Sequence, residues 1–199
     1  MGKPKRIRTQ QLTETTCTYN ACVNFAQTSK EIGGIKDFHS IYKKGYLKRR
    51  LNKEKKESIM RRLKTKGFTG GPLQIEYRGM LEKIANHLWD QVCGPSGLSS
   101  EAAIEVIKTH YGLVGTQHLT REKGYKSMQN AIVGITAHYG QNVFNHTIAI
   151  RDGWVIDSCI LNGSQGGTSN SNGVYKWNGV IKGYDETELL SYFVFDGHP

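Results

Sequence analysis

The chain has 199 residues, of which 37% are hydrophobic, and it carries a formal net charge of +10. This length allows one sizeable domain or two small lobes around a shared core. No apolar run reaches the roughly 18 residues that a membrane-spanning helix needs, and the basic N-terminal residues lack the apolar core of a Sec-type signal peptide. The 4 cysteines are few and irregularly spaced. We therefore expect no disulfide framework, no metal site and no other cofactor, and we expect a reducing compartment such as the cytoplasm, a host cell or a virion.

The positive charge is concentrated in the first third of the chain. Residues 1–66 contain 18 Lys and Arg against 5 Asp and Glu, whereas residues 67–199 contain 9 against 12. The densest part runs from Lys43 to Lys66, where a thin apolar stripe indicates one or two exposed helices. A surface of this kind attracts nucleic acid, an acidic membrane or an acidic protein surface. No recognised nucleic-acid-binding motif accompanies it.

Helical patterns come first along the chain and strand patterns last, which predicts an α+β fold. The first helix should begin at Cys17 after Thr16 and end near Thr28. Residues 67–72 are rich in glycine and read as a joint between two lobes. Further elements are expected as helices over 78–92 and 101–110, and as strands over 131–137, 146–157, 174–177 and 192–195. We thus expect one domain with a basic N-terminal part (1–70), a helical part (71–130) and a sheet part (131–199).

The segment from His146 to Asp157 predicts a β-hairpin that carries an acid–base pair. Asp152-Gly153 is a strong signal for a type I′ turn, which needs φ > 0 at both central positions. Because side chains alternate between the two faces of a strand, His146, Asp157 and Cys159 should lie on one face. Asp157 is then the diagonal neighbour of His146 and within reach of its ring. A carboxylate beside a histidine fixes its tautomer and stabilises the imidazolium, as a general base requires.

Cys17 has the best setting for a nucleophile. In the first turn of a helix, free N–H groups and the helix dipole stabilise a thiolate and lower the thiol pKa. Gln11 precedes it by six residues, and its amide could hold an oxyanion together with the N–H of Cys17. Gln10 is adjacent, so a shift of one residue would exchange the two glutamines. Cys22 is the rival nucleophile, but it falls in mid-helix and is expected to be a core residue.

This set of residues resembles the papain-like cysteine peptidase superfamily: Gln11-x5-Cys17 opening a helix, His146 starting a late strand, and Asp157 on the next strand. The resemblance implies a helical lobe packed on a C-terminal antiparallel sheet. It also implies Cys17 as nucleophile, His146 as base, Asp157 as the residue that orients His146, and Gln11 as oxyanion donor. The Gly-Ser-Cys-Trp pattern of lysosomal members is absent and the His-to-Asp spacing is short. Both features are similar to the compact branches, such as viral proteases, bacteriocin-leader peptidases and deubiquitinase-like members.

The resemblance implies hydrolysis of a peptide or isopeptide bond in a protein or peptide substrate. One alternative is a transglutaminase or acyltransferase with the same triad, since His-x5-Asp-Gly-Trp-x2-Asp resembles the His/Asp hairpin of those enzymes. The other is a non-catalytic, basic nucleic-acid-binding or assembly protein that retains a papain-like shell. Amine incorporation in place of hydrolysis would favour the first alternative. Salt-dependent binding to RNA or DNA with an unreactive Cys17 would favour the second.

Overall fold

The computed structural model describes residues 2–4, 10–11, 16–28, 32–49, 51–94, 97–160 and 173–199, with the backbone alone at 10–11, 94, 97 and 160. The helices are α1 (Cys17–Ala26), α2 (Ile35–Arg49), α3 (Lys53–Thr65), α4 (Gly70–Val92) and α5 (Ser100–Tyr111). The strands are β1 (Gln10–Gln11), β2 (Cys93–Gly94), β3 (Gly97–Leu98), β4 (Gly115–His118), β5 (Ala131–Tyr139), β6 (Asn142–Arg151), β7 (Trp154–Ile156), β8 (Cys159–Ile160), β9 (Val174–Lys176) and β10 (Glu186–Phe195). The helices precede the long strands, and the predicted α+β class is confirmed.

Six strands form one antiparallel sheet in the order β4-β10-β5-β6-β7-β9. Its central strands are apolar on both faces, so each face is covered by a core of its own. On one face Ile132 and Ala149 pack with residues of α1 and α5 such as Phe25 and Ile107. The opposite face, which includes Ile148, packs in a second core with aromatic residues from the connections between strands.

Helix α1 is the buried centre of the helical layer, since all ten of its residues are buried. It lies against β6 and α5, and α2 covers α5 and α4 from outside. Helix α3 packs on α4 and buries only Leu63, so the basic stretch is largely exposed on α3, as predicted. None of the helices in the described part of the chain is both long and apolar enough to cross a membrane.

Some predicted boundaries are wrong. Strand β10 begins at Glu186 rather than at Tyr192. Helix α4 begins at Gly70 rather than near residue 78, so the expected joint over 67–72 is shorter. Pro72 lies in the first turn of α4, where a missing N–H costs no intrahelical hydrogen bond, and a turn-like composition is therefore compatible with a helix. Likewise, His146 lies in the middle of β6, which begins at Asn142. The residues before His146 are mostly exposed, and their polar character hid the strand from its hydrophobic pattern.

Candidate active site

Helix α1 and strand β6 run in the same direction, because Thr18 contacts Thr147 near the start of both and Arg151 contacts the end of α1. The Arg151 guanidinium donates to the carbonyl oxygens of Phe25 (3.0 Å) and Ala26 at the C-terminal end of α1. From there α1 runs back about 13 Å to Cys17, at 1.5 Å per residue. Over the same span β6 runs back about 17 Å from Arg151 to His146, at about 3.4 Å per residue. Cys17 and His146 therefore lie at the same end of α1 and β6.

The two strands of the hairpin separate at the end that lies beside Cys17. Its turn is as predicted, with φ of 52° at Asp152 and 70° at Gly153. The β6–β7 ladder then stops at Ala149 opposite Ile156, and the following chain leaves the edge of β6. The Cys17 sulfur lies beside the backbone N–H of Thr147, which helps to lower the pKa of the thiol.

His146 and Asp157 form a buried acid–base pair. The distance from His146 Nε2 to Asp157 Oδ1 is 2.7 Å, so the predicted diagonal contact is present. The same oxygen accepts the backbone N–H of Cys159 at 2.8 Å, and Oδ2 accepts the hydroxyl of Tyr184 at 2.8 Å. Burial alone would raise the pKa of Asp157, but the charge and hydrogen bond of His146, with these donors, hold that pKa below its ordinary value. Asp157 is therefore an ionised carboxylate aimed at the imidazole.

The imidazole of His146 is held in its charged form. Burial alone would lower the pKa of His146, but the charge and hydrogen bond of Asp157, followed by the nearby Cys17 thiolate, raise it to about 10. Its Nδ1 atom is buried and has no hydrogen-bond partner of ordinary geometry among the described residues. Since Nε2 is occupied by Asp157, Nδ1 is the nitrogen left for Cys17. Hydrogen bonds of this kind are often long in a substrate-free site and tighten when substrate binds.

The Cys17 thiol is set apart from the other buried cysteines by its neighbours. Burial would raise the pKa of Cys17, but the charged imidazole of His146 nearby lowers it, and Thr18 and the Thr147 N–H add to that effect. The net pKa is below the ordinary thiol value. For Cys22, by contrast, burial raises the pKa. Cys17 is therefore poised as a thiolate, and Cys22 is an inert core residue, as predicted.

A set of buried hydroxyl groups holds the start of α1 in place. The Thr18 hydroxyl donates to the Leu98 carbonyl oxygen and lies 3.0 Å from the Thr147 hydroxyl. That second hydroxyl lies 3.2 Å from Ser100 at the start of α5. Cys17 Sγ is 3.9 Å from the Thr18 hydroxyl. The N-terminus of α1 is thus tied to β6 and α5, which limits how far the sulfur can move relative to the imidazole.

Gln11 lies in β1, which pairs in parallel with β8 just after Asp157. Its backbone is opposite Ile160, and that of Gln10 is opposite Cys159. The side chains of both glutamines lie outside the described residues, so the oxyanion role of Gln11 stays a prediction. The N–H of Cys17, in the first turn of α1, is without an intrahelical partner by the geometry of a helix. It is the described donor best placed for an oxyanion that forms on a group attached to the sulfur.

The site can therefore support nucleophilic chemistry: a thiolate, a charged imidazole that can give up a proton, and a carboxylate that holds the imidazole. Cys17 is 4% exposed and His146 2% exposed, so little water reaches the pair and its electrostatic interactions are strong. In the described part of the chain, no three His, Cys, Asp or Glu side chains are grouped as a metal ion would require.

Tyr184 and Arg151 are among the residues of this site that were not singled out from the sequence. Tyr184 lies in an irregular connection before β10, where no periodic pattern marks its direction. Arg151 was placed in the hairpin, but its partners are backbone carbonyl groups of a distant helix. Such partners leave no trace in side-chain composition, so no local signal could have identified them.

No protein-family model, no curated protein sequence and no solved structure matches this chain. The chemistry of the site is accordingly inferred from its geometry.

Proposed function

We propose that this protein is a thiol hydrolase, a cysteine peptidase or isopeptidase of the papain-like kind, with Cys17 as nucleophile, His146 as acid and base, and Asp157 as the orienting residue. The observation that carries the proposal is the position of Cys17. It opens a buried helix directly beside a histidine whose other ring nitrogen is held by a buried carboxylate at 2.7 Å. Structural ion pairs also perturb pKa values, but they seldom pair a helix-start thiol with a charged imidazole.

The reaction follows from these positions. The Cys17 thiolate attacks the carbonyl carbon, a C–S bond forms, and the carbonyl oxygen becomes an oxyanion held by the Cys17 N–H and, in this proposal, by Gln11. His146 gives its proton to the departing amine as the C–N bond breaks, which leaves a thioester. Neutral His146 then takes a proton from water, the hydroxide attacks the thioester, and the acid product and the Cys17 thiolate are released.

The arrangement of the elements supports the same proposal. A nucleophile helix is packed on an antiparallel sheet, the histidine lies on a central strand, and the carboxylate follows the next strand. The pairing of β1 with β8 brings the backbone of Gln11 alongside residues that follow Asp157. This is the papain-like order of parts that the sequence resemblance implies. Fold alone does not define a reaction, so the residue geometry remains the main support.

The test is the replacement of the nucleophile. Cys17→Ala should remove one labelled site from the reaction with a thiol-directed electrophile, while exposed Cys93 is still labelled, and should reduce peptide or isopeptide hydrolysis by at least roughly 10³-fold. Cys93→Ser is the matched control, because Cys93 is an exposed free cysteine in β2 and should leave turnover unchanged. Full activity in Cys17→Ala would overturn the proposal. If a primary amine rather than water enters the product, the same residues serve an acyltransferase instead.

A further inference from the structure

Tyr184 contacts both members of the acid–base pair. Its hydroxyl donates to Asp157 Oδ2 at 2.8 Å, and its ring centroid lies 5.8 Å from that of His146. Phe144 completes the group, with ring centroids 6.2 Å from His146 and 6.0 Å from Tyr184. The imidazole therefore has aromatic rings beside it and a carboxylate at its Nε2 edge.

The direction of Tyr184 is fixed by the next residue along the chain. The backbone N–H of Asp185 donates to the His138 carbonyl oxygen at 2.9 Å, and the Asp185 carboxylate accepts the N–H of Gly140 at 2.6 Å. These two bonds attach the segment to the end of β5 and to the turn that leads into β6. Since β6 carries His146, the tyrosine and the histidine are held by the same part of the sheet.

We propose that Tyr184 is a positioning residue of the site: it holds Oδ2 of Asp157 so that Oδ1 faces His146 Nε2, and its ring shields the imidazole from water. This inference rests on the proposed thiol chemistry. A carboxylate can rotate about its Cβ–Cγ bond, and a donor on the second oxygen stops that rotation. Charge-assisted hydrogen bonds of this type are roughly twice as strong as neutral ones.

The expected consequence is a change in the imidazole rather than in substrate binding. Without the hydroxyl, the ionised form of Asp157 loses one of its donors and stabilises the imidazolium less. His146 then loses its charge at a lower pH than in the wild-type protein. We expect the His146 pKa to fall by about one unit, the equivalent of a tenfold change in equilibrium. Above the new pKa, kcat/KM should fall by roughly tenfold while KM stays unchanged.

The experiment compares Tyr184→Phe with Tyr192→Phe. Both variants keep the ring, but the Tyr192 hydroxyl accepts from the Glu122 N–H and its ring packs against Tyr125. The His146 imidazole is titrated by NMR, and the rate of Cys17 alkylation by iodoacetamide is followed against pH. Tyr184→Phe should shift both curves and Tyr192→Phe should shift neither. In an Asp157→Asn background, Tyr184→Phe should cause no further shift.

Unchanged curves in Tyr184→Phe would overturn the inference, even if Cys17→Ala has abolished hydrolysis as the proposed function requires. Conversely, Tyr184→Phe could shift the imidazole titration although the wild-type protein hydrolyses no substrate. That result would support the positioning role of Tyr184 and contradict the proposed hydrolase function. If Tyr184→Phe does not fold, titration of the Tyr184 phenol in the wild-type protein replaces the variant as the test. A Tyr184 phenol that titrates at the ordinary tyrosine pKa of about 10 would contradict a hydrogen bond to an ionised Asp157.

Discussion

The protonation state of Cys17 and His146 is the property from which the chemistry follows. A depressed thiol pKa and a raised imidazole pKa leave a range of pH in which both groups are charged. Their proximity also means that the two groups titrate as a pair, and an observed pKa belongs to that pair.

The pH dependence of turnover is the first prediction. Hydrolysis should rise as the Cys17 thiolate forms, at a pH below the ordinary thiol pKa. It should fall as the imidazolium loses its proton near pH 10, because the leaving amine then lacks a proton donor. The measurement is kcat/KM against pH for the wild-type protein and for His146→Ala. An acid limb that stays in place in His146→Ala would show that the imidazole does not activate the thiol.

Removal of the Asp157 charge should act through the histidine. Asp157→Asn takes away the largest influence that raises the His146 pKa, so the alkaline limb should move to lower pH. Turnover should fall by roughly 10²-fold or more, as expected when the orienting residue of a triad is replaced by a neutral one. The pH–rate profile of the variant tests this. An alkaline limb at the wild-type position would contradict the role of Asp157.

The same pair should contribute to stability over a defined range of pH. Asp157 has a lowered folded pKa, so its contribution is present above the ordinary Asp pKa near 4 and is lost as the pH falls below that. His146 has a raised folded pKa, so its contribution is complete below about 6.5 and is lost as the pH rises toward 10. Breaking a buried pair leaves one uncompensated charge.

Asp157→Asn should therefore cost about 3 kcal/mol of unfolding free energy between about pH 4 and 6.5, and less on either side. Denaturant unfolding at a series of pH values gives the difference from wild type. Ser127→Ala, at an exposed position away from the pair, serves as the reference for an ordinary surface substitution. A difference that does not vary with pH would mean that the loss comes from packing rather than from charge.

At the scale of elements, the close approach of α5 to β5 supports the site. A Cβ at Gly134 would overlap the Ser100 side chain, which also contacts Thr147 beside Cys17. Gly134→Ala should lower the unfolding free energy by about 1–3 kcal/mol, as overpacking does, and slow Cys17 alkylation. Ser100→Ala combined with Gly134→Ala should restore part of both. Thermal unfolding and alkylation rates measure the outcome, and a stable Gly134→Ala with normal reactivity would contradict the expected crowding.

The hairpin shows what could be predicted from the sequence and what could not. Its turn follows from Asp152-Gly153, and the alternation of side chains puts His146 and Asp157 on one face, so the contact between them was predictable from local rules. The early end of β7 was not, because β8 leaves the ladder to pair with β1 at the other end of the chain. The position of Cys17 also depends on a non-local contact, the attachment of α1 to Arg151.

At the scale of the whole molecule, the charge is divided between two regions. Helix α3 and Lys66 carry seven Lys and Arg against two Glu, and Lys53–Glu57 is the ion pair described within α3. The sheet part, with six Asp and Glu against three Lys and Arg, contributes His146 and Asp157 to the candidate site, and α1 contributes Cys17. Binding of nucleic acid or of an acidic surface to the stretch from Lys43 to Lys66 therefore stays a prediction that is independent of the thiol chemistry.

Binding of phosphate groups to α3 can be tested through its salt dependence. If phosphates are bound along α3, the affinity for an RNA or DNA oligonucleotide should fall steeply with salt. Arg62→Gln should reduce the slope of log K against log salt by about one, and Cys17→Ala should leave it unchanged. Fluorescence anisotropy at several salt concentrations measures the slope. Binding that does not depend on salt, or no binding at low salt, would contradict a phosphate-binding surface.

The most direct test of an activated Cys17 is its alkylation by iodoacetamide as a function of pH, followed by mass spectrometry of the individual cysteines. Cys93 is exposed and serves as the internal reference in the same sample. Each rate is scaled to its own plateau, so that the burial of Cys17 does not enter the comparison. We expect the midpoint for Cys17 to lie below the ordinary thiol pKa of about 8.5, and His146→Ala to raise it. A Cys17 midpoint at or above that ordinary value, unaffected by His146→Ala, would contradict an activated thiol.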